Sequence, residues 1–167
     1  APFEIKTLHV IGGGAQNGVS VAGVVGQTGA GTYFKTYTLS DCDNYGTVDV
    51  NFAMSDDIST NLYVGGVTGY ASTPVDDLNN YAKVSVVSSA INHSVGGVLG
   101  QGYYGLSNAV NNANVEVELV SNGGNQIDGA NNCIGGVIGM TPGTSGESIA
   151  NLTNNNPVSV EVTGSEV

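Results

Sequence analysis

Carboxylate pairs are the groups in this sequence with the most direct chemical use. Two neighbouring Asp residues can protonate a glycosidic oxygen and activate water, or hold Ca²⁺, when they line one face of a stack of strands. The candidates are Asp41, Asp43, Asp56, Asp57, Asp76 and Asp77. The sequence has no Arg to stabilise a developing anion and no Trp to provide a platform for a sugar ring. We therefore interpret these side chains as acidic residues of solvated loops, and we expect no catalytic residue among them.

Histidine, cysteine and a Gly-rich segment offer fewer routes to chemistry. His9 and His93 each stand alone among apolar or hydroxyl residues without a nucleophile motif, so we expect no Ser–His or Cys–His catalytic pair. Cys42 and Cys133 lack CxxC spacing and a neighbouring His pair, so we expect no metal site and two free, mostly buried thiols. The Gly-rich segment 11–18 lacks the Lys-Ser/Thr of a phosphate-binding loop. No cofactor is expected.

Tyrosine is the remaining side chain suited to contact with a ligand. Five Tyr residues lie between residues 63 and 104, in or just after the middle units of the repeat described below: Tyr63, Tyr70, Tyr81, Tyr103 and Tyr104. Some of them could share a face on which a glycan or a protein ligand rests, although packing over the edges of the core is the simpler explanation. Tyr103 and Tyr104 in their Gly-flanked loop, together with Tyr70, are the contact residues that we select.

The charge of the chain excludes two classes of partner. Fourteen Asp and Glu residues face three Lys, which gives a formal net charge of −11. A nucleic acid or an anionic membrane surface would be repelled, because no run of basic residues exists to bind phosphate. No stretch is long and apolar enough to predict membrane insertion. Neutral glycans, proteins and further copies of the chain remain as partners.

A short box of apolar residue, small residue, Gly, Val, variable residue and Gly occurs four times. Its copies occupy residues 21–26, 64–69, 95–100 and 134–139. Apolar residues stand at both odd and even positions of the box, which predicts a strand crowded by backbone on both sides. Such repetition indicates stacked units, because one short unit cannot bury its own apolar face.

A second box follows each copy of the first and reads Asn, three variable residues, Val, one polar residue and Val. Its copies begin at Asn44, Asn80, Asn111 and Asn154, and an Asp or Asn stands three residues before each of them. The alternation of Val with polar residues predicts a half-buried strand. An Asn amide can bond to the same amide one coil away, so the four Asn residues are predicted to form a ladder, with ordinary exposed turn residues as the alternative.

Together the two boxes predict an all-β fold: a short parallel β-solenoid, or β-helix, of about four irregular coils with terminal capping strands. Each coil is expected to hold two or three strands. Equivalent strands should pair in parallel and form an interior column of Val48, Val84, Val115 and Val158.

One domain is assigned to residues 1–167. We divide it into an N-terminal cap at 1–20, four repeats at 21–162 and a tail at 163–167. The segment Phe3–Val10 is expected to cap one end. The segment Val158–Val162 is expected to close the other end, or to form an edge where a partner adds.

The joint pattern resembles the GLUG-motif repeats of bacterial surface proteins, whose units read like VGGVxGY followed by a box like NSYNTGDV. The closest copies are Val64–Tyr70 and Asp43–Val50, and the resemblance covers roughly residues 20–162. The Tyr of the second box drifts, standing as Tyr45, Tyr81, Asn112 and Asn155. The resemblance implies a β-helix-like stalk or adhesin module from secreted, multi-domain bacterial proteins, and it brings no catalytic residues.

These observations favour a secreted or cell-surface, adhesin-like protein that is not an enzyme. Its role would be display, spacing or recognition of an extracellular glycan or protein ligand. The first alternative is a self-assembling extracellular filament or sheath subunit, because open strand edges allow further copies to add. The second alternative is a polysaccharide-active β-helix enzyme that uses the Asp pairs.

Overall fold

A computed structural model of the chain describes residues 18–28, 37–52, 61–90, 92–121, 131–141 and 148–164. All regular structure within these ranges consists of β-strands. No helix long and apolar enough to cross a bilayer is found in these ranges. The predicted cap Phe3–Val10 lies outside the described residues.

Within these described ranges, sixteen short strands follow one another in four coils of four strands each. The first coil contains β1 (Val19–Ala22), β2 (Val25–Thr28), β3 (Leu39–Asn44) and β4 (Val48–Phe52). The second contains β5 (Asn61–Gly65), β6 (Thr68–Ala71), β7 (Val75–Asn80) and β8 (Val84–Ser88). The third contains β9 (Asn92–Gly96), β10 (Leu99–Gly102), β11 (Leu106–Asn111) and β12 (Val115–Ser121). The last contains β13 (Asn132–Gly135), β14 (Ile138–Met140), β15 (Ile149–Asn154) and β16 (Val158–Gly164).

Equivalent strands of successive coils pair in parallel and build four sheets. Sheet A joins β1, β5, β9 and β13, and sheets B, C and D join the second, third and fourth strands of the coils in the same way. The short parallel β-solenoid predicted from the sequence is therefore confirmed. The described coils extend from Val19 to Gly164.

The sequence pattern predicted that the first box forms one crowded strand. In the structure the box forms the end of one strand, a turn and the start of the next strand. In the second coil, Val64 and Gly65 end β5, Gly66 and Val67 make a tight turn, and Thr68 starts β6. Apolar residues at both parities are explained by this turn, because the chain reverses within the box. Each coil therefore has four strands, where two or three were expected.

Glycine is required in the box because backbones approach each other closely. A Cβ on Gly100 would lie 2.8 Å from the backbone nitrogen of Val64 and 2.9 Å from the backbone oxygen of Ser94. A Cβ on Gly66 would overlap the side-chain amide of Asn80, which stands in the second box of the same coil. The glycines thus allow sheets A and B to pack backbone against backbone, and they couple the two boxes of each coil.

Two separate hydrophobic cores result from this close contact. One core lies between sheets A and D and contains Leu62, Val84 and Val115 among its fully buried side chains. The other lies between sheets B and C, where Leu78 and Leu106 are fully buried. The backbone layer made by sheets A and B separates the two cores.

The predicted valine column is present in sheet D. Val48 is paired with Val84, Val84 with Val115 and Val115 with Val158, so all four share one register. The first three are buried, whereas Val158 in the last coil is 37% exposed. Stacking of like strands in register is therefore the organising feature of the fold.

The Asp or Asn placed before each ladder Asn has a defined backbone role. Asp41, Asp77, Asn108 and Asn151 all adopt the left-handed conformation, with φ between 52° and 56°. Asn and Asp tolerate this conformation better than other residues that carry a Cβ. The Asp or Asn three positions before each ladder Asn thus marks a backbone kink that is repeated in every coil of sheet C.

Candidate functional site

A surface cleft of about 190 Å³ opens where strands β5 and β9 begin and strands β10 and β14 end, away from the turn that joins sheets A and B. Seven residues from the second, third and last coils line it: Asn61, Tyr63, Asn92, Ser94, Gln101, Asn131 and Met140. None of these side chains carries a formal charge at neutral pH, although the whole chain has a net charge of −11. We refer to this site as the amide cleft.

Asparagines form one wall of the amide cleft. Asn92 Nδ2 donates to Asn61 Oδ1 at 2.8 Å, and the backbone N–H of Asn131 donates to Asn92 Oδ1 at 3.0 Å. Parallel pairing of β5 with β9 places Asn61 directly beside Asn92. The column was not predicted from the sequence, although each of its residues stands three positions before the first box of its coil. That regular spacing is the signal that could have identified it.

The other lining side chains come from sheets A and B of the third and last coils. Ser94 Oγ donates to Gln101 Oε1 at 3.4 Å and contacts Met140 Sδ at 3.8 Å. Ser94 and Gln101 lie on either side of the turn at Gly97 and Val98, so the fold of the first box brings these two side chains together. The wall therefore combines an amide, a hydroxyl and a flexible thioether.

A row of tyrosines continues from the amide cleft along the surface. The ring centroids of Tyr63 and Tyr70 are 5.2 Å apart, and those of Tyr70 and Tyr103 are 5.8 Å apart, with the ring planes tilted in both pairs. Burial raises the pKa of the Tyr63 hydroxyl above its ordinary value, so this group stays protonated and can donate a hydrogen bond. The structure thus brings together Tyr70 and Tyr103, which were selected from the sequence, with Tyr63.

Tyr104 does not belong to this surface. Only 6% of the side chain is exposed, so the prediction that Tyr104 is an exposed contact residue was wrong. The residue follows Tyr103 in the bend just after β10, and Tyr103 is more exposed than Tyr104. One of the two adjacent tyrosines therefore faces the surface and the other is buried.

The asparagine ladder runs through the corner between sheets C and D. Asn44 Nδ2 donates to Asn80 Oδ1 at 2.8 Å, Asn80 Nδ2 to Asn111 Oδ1 at 2.9 Å and Asn111 Nδ2 to Asn154 Oδ1 at 2.8 Å. Each amide also bonds within its own coil, as when Asn111 Nδ2 donates to the carbonyl of Ala113 at 2.7 Å. Asn44, Asn80 and Asn111 are buried, so this ladder is a structural element and is not accessible to a ligand.

The sequence suggested that His93 is isolated. In the structure it joins a buried polar network. Ser88 Oγ lies 2.8 Å from its Nε2, and Asn132 Oδ1 lies 2.7 Å from its Nδ1. Because Asn132 Oδ1 can only accept, Nδ1 carries the proton and Ser88 donates to Nε2. Burial lowers the pKa of His93. Both Ser88 and His93 are 1% exposed, so a substrate cannot reach this pair. His9 lies outside the described residues.

The four candidate carboxylates within the described residues, Asp41, Asp43, Asp76 and Asp77, lie in sheet C, and two of them bond to neighbouring coils. Asn79 Nδ2 donates to Asp43 Oδ1 at 3.0 Å. Asp76 Oδ1 accepts from Ser107 Oγ at 2.7 Å and from Asn108 Nδ2 at 2.9 Å, and these bonds lower the pKa of Asp76. Asp56 and Asp57 lie outside the described residues. In the described part of the chain, no three His, Cys, Asp or Glu side chains are grouped so that they could hold a metal ion.

The two cysteines occupy different sheets. Cys42 lies in β3 of sheet C and Cys133 in β13 of sheet A, and both thiols are free. Both residues are only partly exposed, and Cys42 packs against the core between sheets B and C. Burial, followed by the nearby carboxylates of Asp41 and Asp43, raises the pKa of the Cys42 thiol. The thiol form of Cys42 is therefore favoured over the reactive thiolate.

Comparison of the chain with models of known protein families, with curated proteins and with solved structures finds no match.

Proposed function

We propose that this chain is a non-catalytic recognition and display module of the GLUG-repeat type, secreted or exposed on a bacterial cell surface, which binds an uncharged glycan at the amide cleft. The repeated boxes support the GLUG-type assignment, and the confirmed parallel solenoid is the fold that the resemblance implies. The observation that carries the proposal is an uncharged, amide-lined cleft beside a tyrosine row on an otherwise acidic protein.

The chemistry of the amide cleft suits a sugar ring. Asn and Gln amides offer both donors and acceptors, and sugar hydroxyls can satisfy both. Tyr63, Tyr70 and Tyr103 present partly exposed rings against which the apolar face of a sugar can pack. A volume of about 190 Å³ is smaller than the roughly 300–1,000 Å³ of pockets that hold drug-sized ligands. The cleft would hold one sugar unit, with neighbouring units lying along the tyrosines.

The acidic residues support the non-catalytic part of the proposal. Asp43 and Asp76 bond to side chains of adjacent coils, so their oxygen atoms serve the stacking of sheet C. Ser88 and His93 are buried, which removes the one Ser–His pair seen in the described residues from contact with solvent.

A glycan array tests the proposal. We expect neutral glycans to be bound, and Tyr63→Ala to weaken binding at least about tenfold because a stacking surface of the site is removed. The matched control is Tyr45→Ala, which removes a stacked surface tyrosine far along the coil from the amide cleft. Titration calorimetry on the best glycan then gives the affinity of each variant. Equal affinity of the two variants, or an array without neutral ligands, would refute the proposal.

A further inference from the structure

Two tyrosines are stacked on the outer surface where the chain passes from sheet C to sheet D. Tyr45 and Tyr81 each follow the ladder Asn of their coil, and their ring centroids are 4.8 Å apart with only 4° between the ring planes. The two residues are 69% and 44% exposed. Packing over the core therefore does not explain this pair, and an oxidant in the solvent can reach both rings.

The backbone below the pair holds the two rings one coil apart. Asn44 Nδ2 donates to Asn80 Oδ1 at 2.8 Å, and the backbone N–H of Tyr81 donates to the carbonyl of Asn44 at 2.8 Å. Both asparagines are buried. Because these bonds fix the two turns relative to each other, the rings meet far more often than either ring meets a tyrosine of another molecule.

A carboxylate accepts a hydrogen bond from one hydroxyl of the pair. Tyr45 Oη donates to Asp43 Oδ2 at 3.0 Å, while Asp43 Oδ1 accepts from Asn79 Nδ2 at 3.0 Å. The bond to Asp43 is the main cause of a raised pKa of Tyr45, so this hydroxyl keeps its proton at neutral pH. A phenol loses an electron more easily when a base takes up its proton in the same step, and Asp43 is placed to be that base.

The tyrosine row beside the amide cleft differs from this pair. Its ring centroids are 5.2 and 5.8 Å apart, the ring planes are tilted by 48° and 59°, and its three residues are only partly exposed. Tyr45 and Tyr81 are thus closer, more nearly parallel and more exposed than the tyrosines of the row. Close parallel stacking brings the ring carbons of one residue next to those of the other.

We propose that Tyr45 and Tyr81 form a site of oxidative modification, at which a haem peroxidase that uses hydrogen peroxide joins the two rings as dityrosine. Each hydroxyl loses one electron and one proton, and Asp43 accepts the proton of Tyr45 and passes it to solvent. The two phenoxyl radicals then form a bond between ring carbons next to the hydroxyls, and protons from these carbons return to the phenol oxygens.

The electrons and atoms of this reaction balance. Hydrogen peroxide takes up the two electrons and two protons, so two tyrosines and one hydrogen peroxide give one dityrosine and two waters. The new bond joins the first coil covalently to the second. It lies at the corner between sheets C and D and does not involve the amide cleft.

Treatment of the purified chain with a haem peroxidase and hydrogen peroxide tests the site. We expect dityrosine fluorescence in the monomer fraction after size-exclusion chromatography. Peptide mass spectrometry should show the peptides of Tyr45 and Tyr81 joined with the loss of two hydrogen atoms. Tyr81→Phe keeps the stacked ring but cannot form the phenoxyl radical, so the yield in monomers should fall at least about fivefold.

The matched control for this test is Tyr37→Phe, which removes the hydroxyl of another exposed tyrosine of the first coil, 70% exposed, and should keep the full yield. Circular dichroism and thermal unfolding show that both variants are folded. The absence of dityrosine from monomers, or equal yields in the two variants, would overturn the proposal.

The role of Asp43 is tested separately. Asp43→Asn removes the base but keeps a side chain of similar size, so the initial rate of dityrosine formation should fall at least about threefold. Asp41→Asn is the matched control, because it removes the same charge from the same strand at a position where Asn also tolerates the left-handed backbone. Equal rates in these two variants would overturn the assignment of Asp43 as the proton acceptor.

Discussion

The third and last coils place similar residues in the same columns but differ sharply in burial. Val115, Val117 and Leu119 of β12 are at most 3% exposed. Their partners Val158, Val160 and Val162 of β16 are between 37% and 61% exposed. The local sequence pattern is thus equal in both strands, and the difference comes from the neighbouring coil. The core side chains of a coil are therefore buried by the adjacent coils more than by the strands of the same coil.

The comparison predicts its largest effect for substitutions that shorten paired side chains in sheet C. Leu106→Ala should lower the free energy of unfolding by about 2–5 kcal/mol, because Leu106 is fully buried in the third coil. Ile149→Ala, at the paired position of the last coil, should cost no more than about 1 kcal/mol, because 46% of Ile149 is already exposed. Urea unfolding of both variants measures the difference. Equal losses would break the comparison.

The asparagine ladder gives a second and smaller contrast. Asn111→Ala should destabilise the chain by about 1–3 kcal/mol, because the buried Asn80 amide loses its acceptor and the Ala113 carbonyl loses its donor. Asn154→Ala should cost less, because Asn154 is exposed and water can replace its bonds. The midpoints of urea unfolding give both values. A larger loss in Asn154→Ala would show that the exposed end of the ladder matters more than its buried part.

The third test uses pH to probe the contact between the third coil and the last coil. The pKa of His93 is lowered in the folded protein, where burial is the main cause, and Asn132 of the last coil accepts from its Nδ1. As pH falls below the unfolded value of about 6.5, the unfolded chain binds a proton that the folded chain refuses, so stability falls by at most about 1.4 kcal/mol per pH unit. The loss ends once pH reaches the folded pKa.

The control for this pH effect is His93→Gln, which has no titrating ring. Urea unfolding between pH 7.5 and 5 should show a steeper loss of stability for the unmodified chain than for this variant. An equal dependence of stability on pH in both proteins would mean that burial does not lower the pKa of His93. The low pKa of Asp76 contributes at more acidic pH, so its effect falls outside this window.

Much of the fold was predictable because stacking forces like residues into columns. Val48, Val84 and Val115 share a register, and the Asn at the start of each second box reaches the Asn of the next coil. The residue after each ladder Asn, which is Tyr in the first two coils and Asn in the last two, also forms a column. Tyr45 stacks on Tyr81 with ring centroids 4.8 Å apart, and Asn155 donates to Asn112 at 2.8 Å. In this column the two Tyr residues therefore contact each other, and so do the two Asn residues.

The amide cleft and the burial of individual side chains were not predictable in the same way. The turn at Gly66 and Val67 is encoded by close backbone contacts between coils, which a repeat pattern does not reveal. Because the repeat pattern does not reveal this turn, it does not show that Ser94 and Gln101 contact each other. It also does not distinguish the burial of Tyr104 from that of Tyr103. Likewise, the contact of His93 with Ser88 and Asn132 depends on which residues share an interior level.

The backbone layer between the two cores has a consequence for how such a chain can change. It separates two lumens, so we expect a larger or smaller side chain in one lumen to disturb the packing of the other less than its own. Substitutions on opposite sides of the partition should have additive effects on stability. One lumen can therefore accumulate sequence change while the other preserves the rod, which gives this narrow molecule a freedom to diversify that a single-core domain does not have.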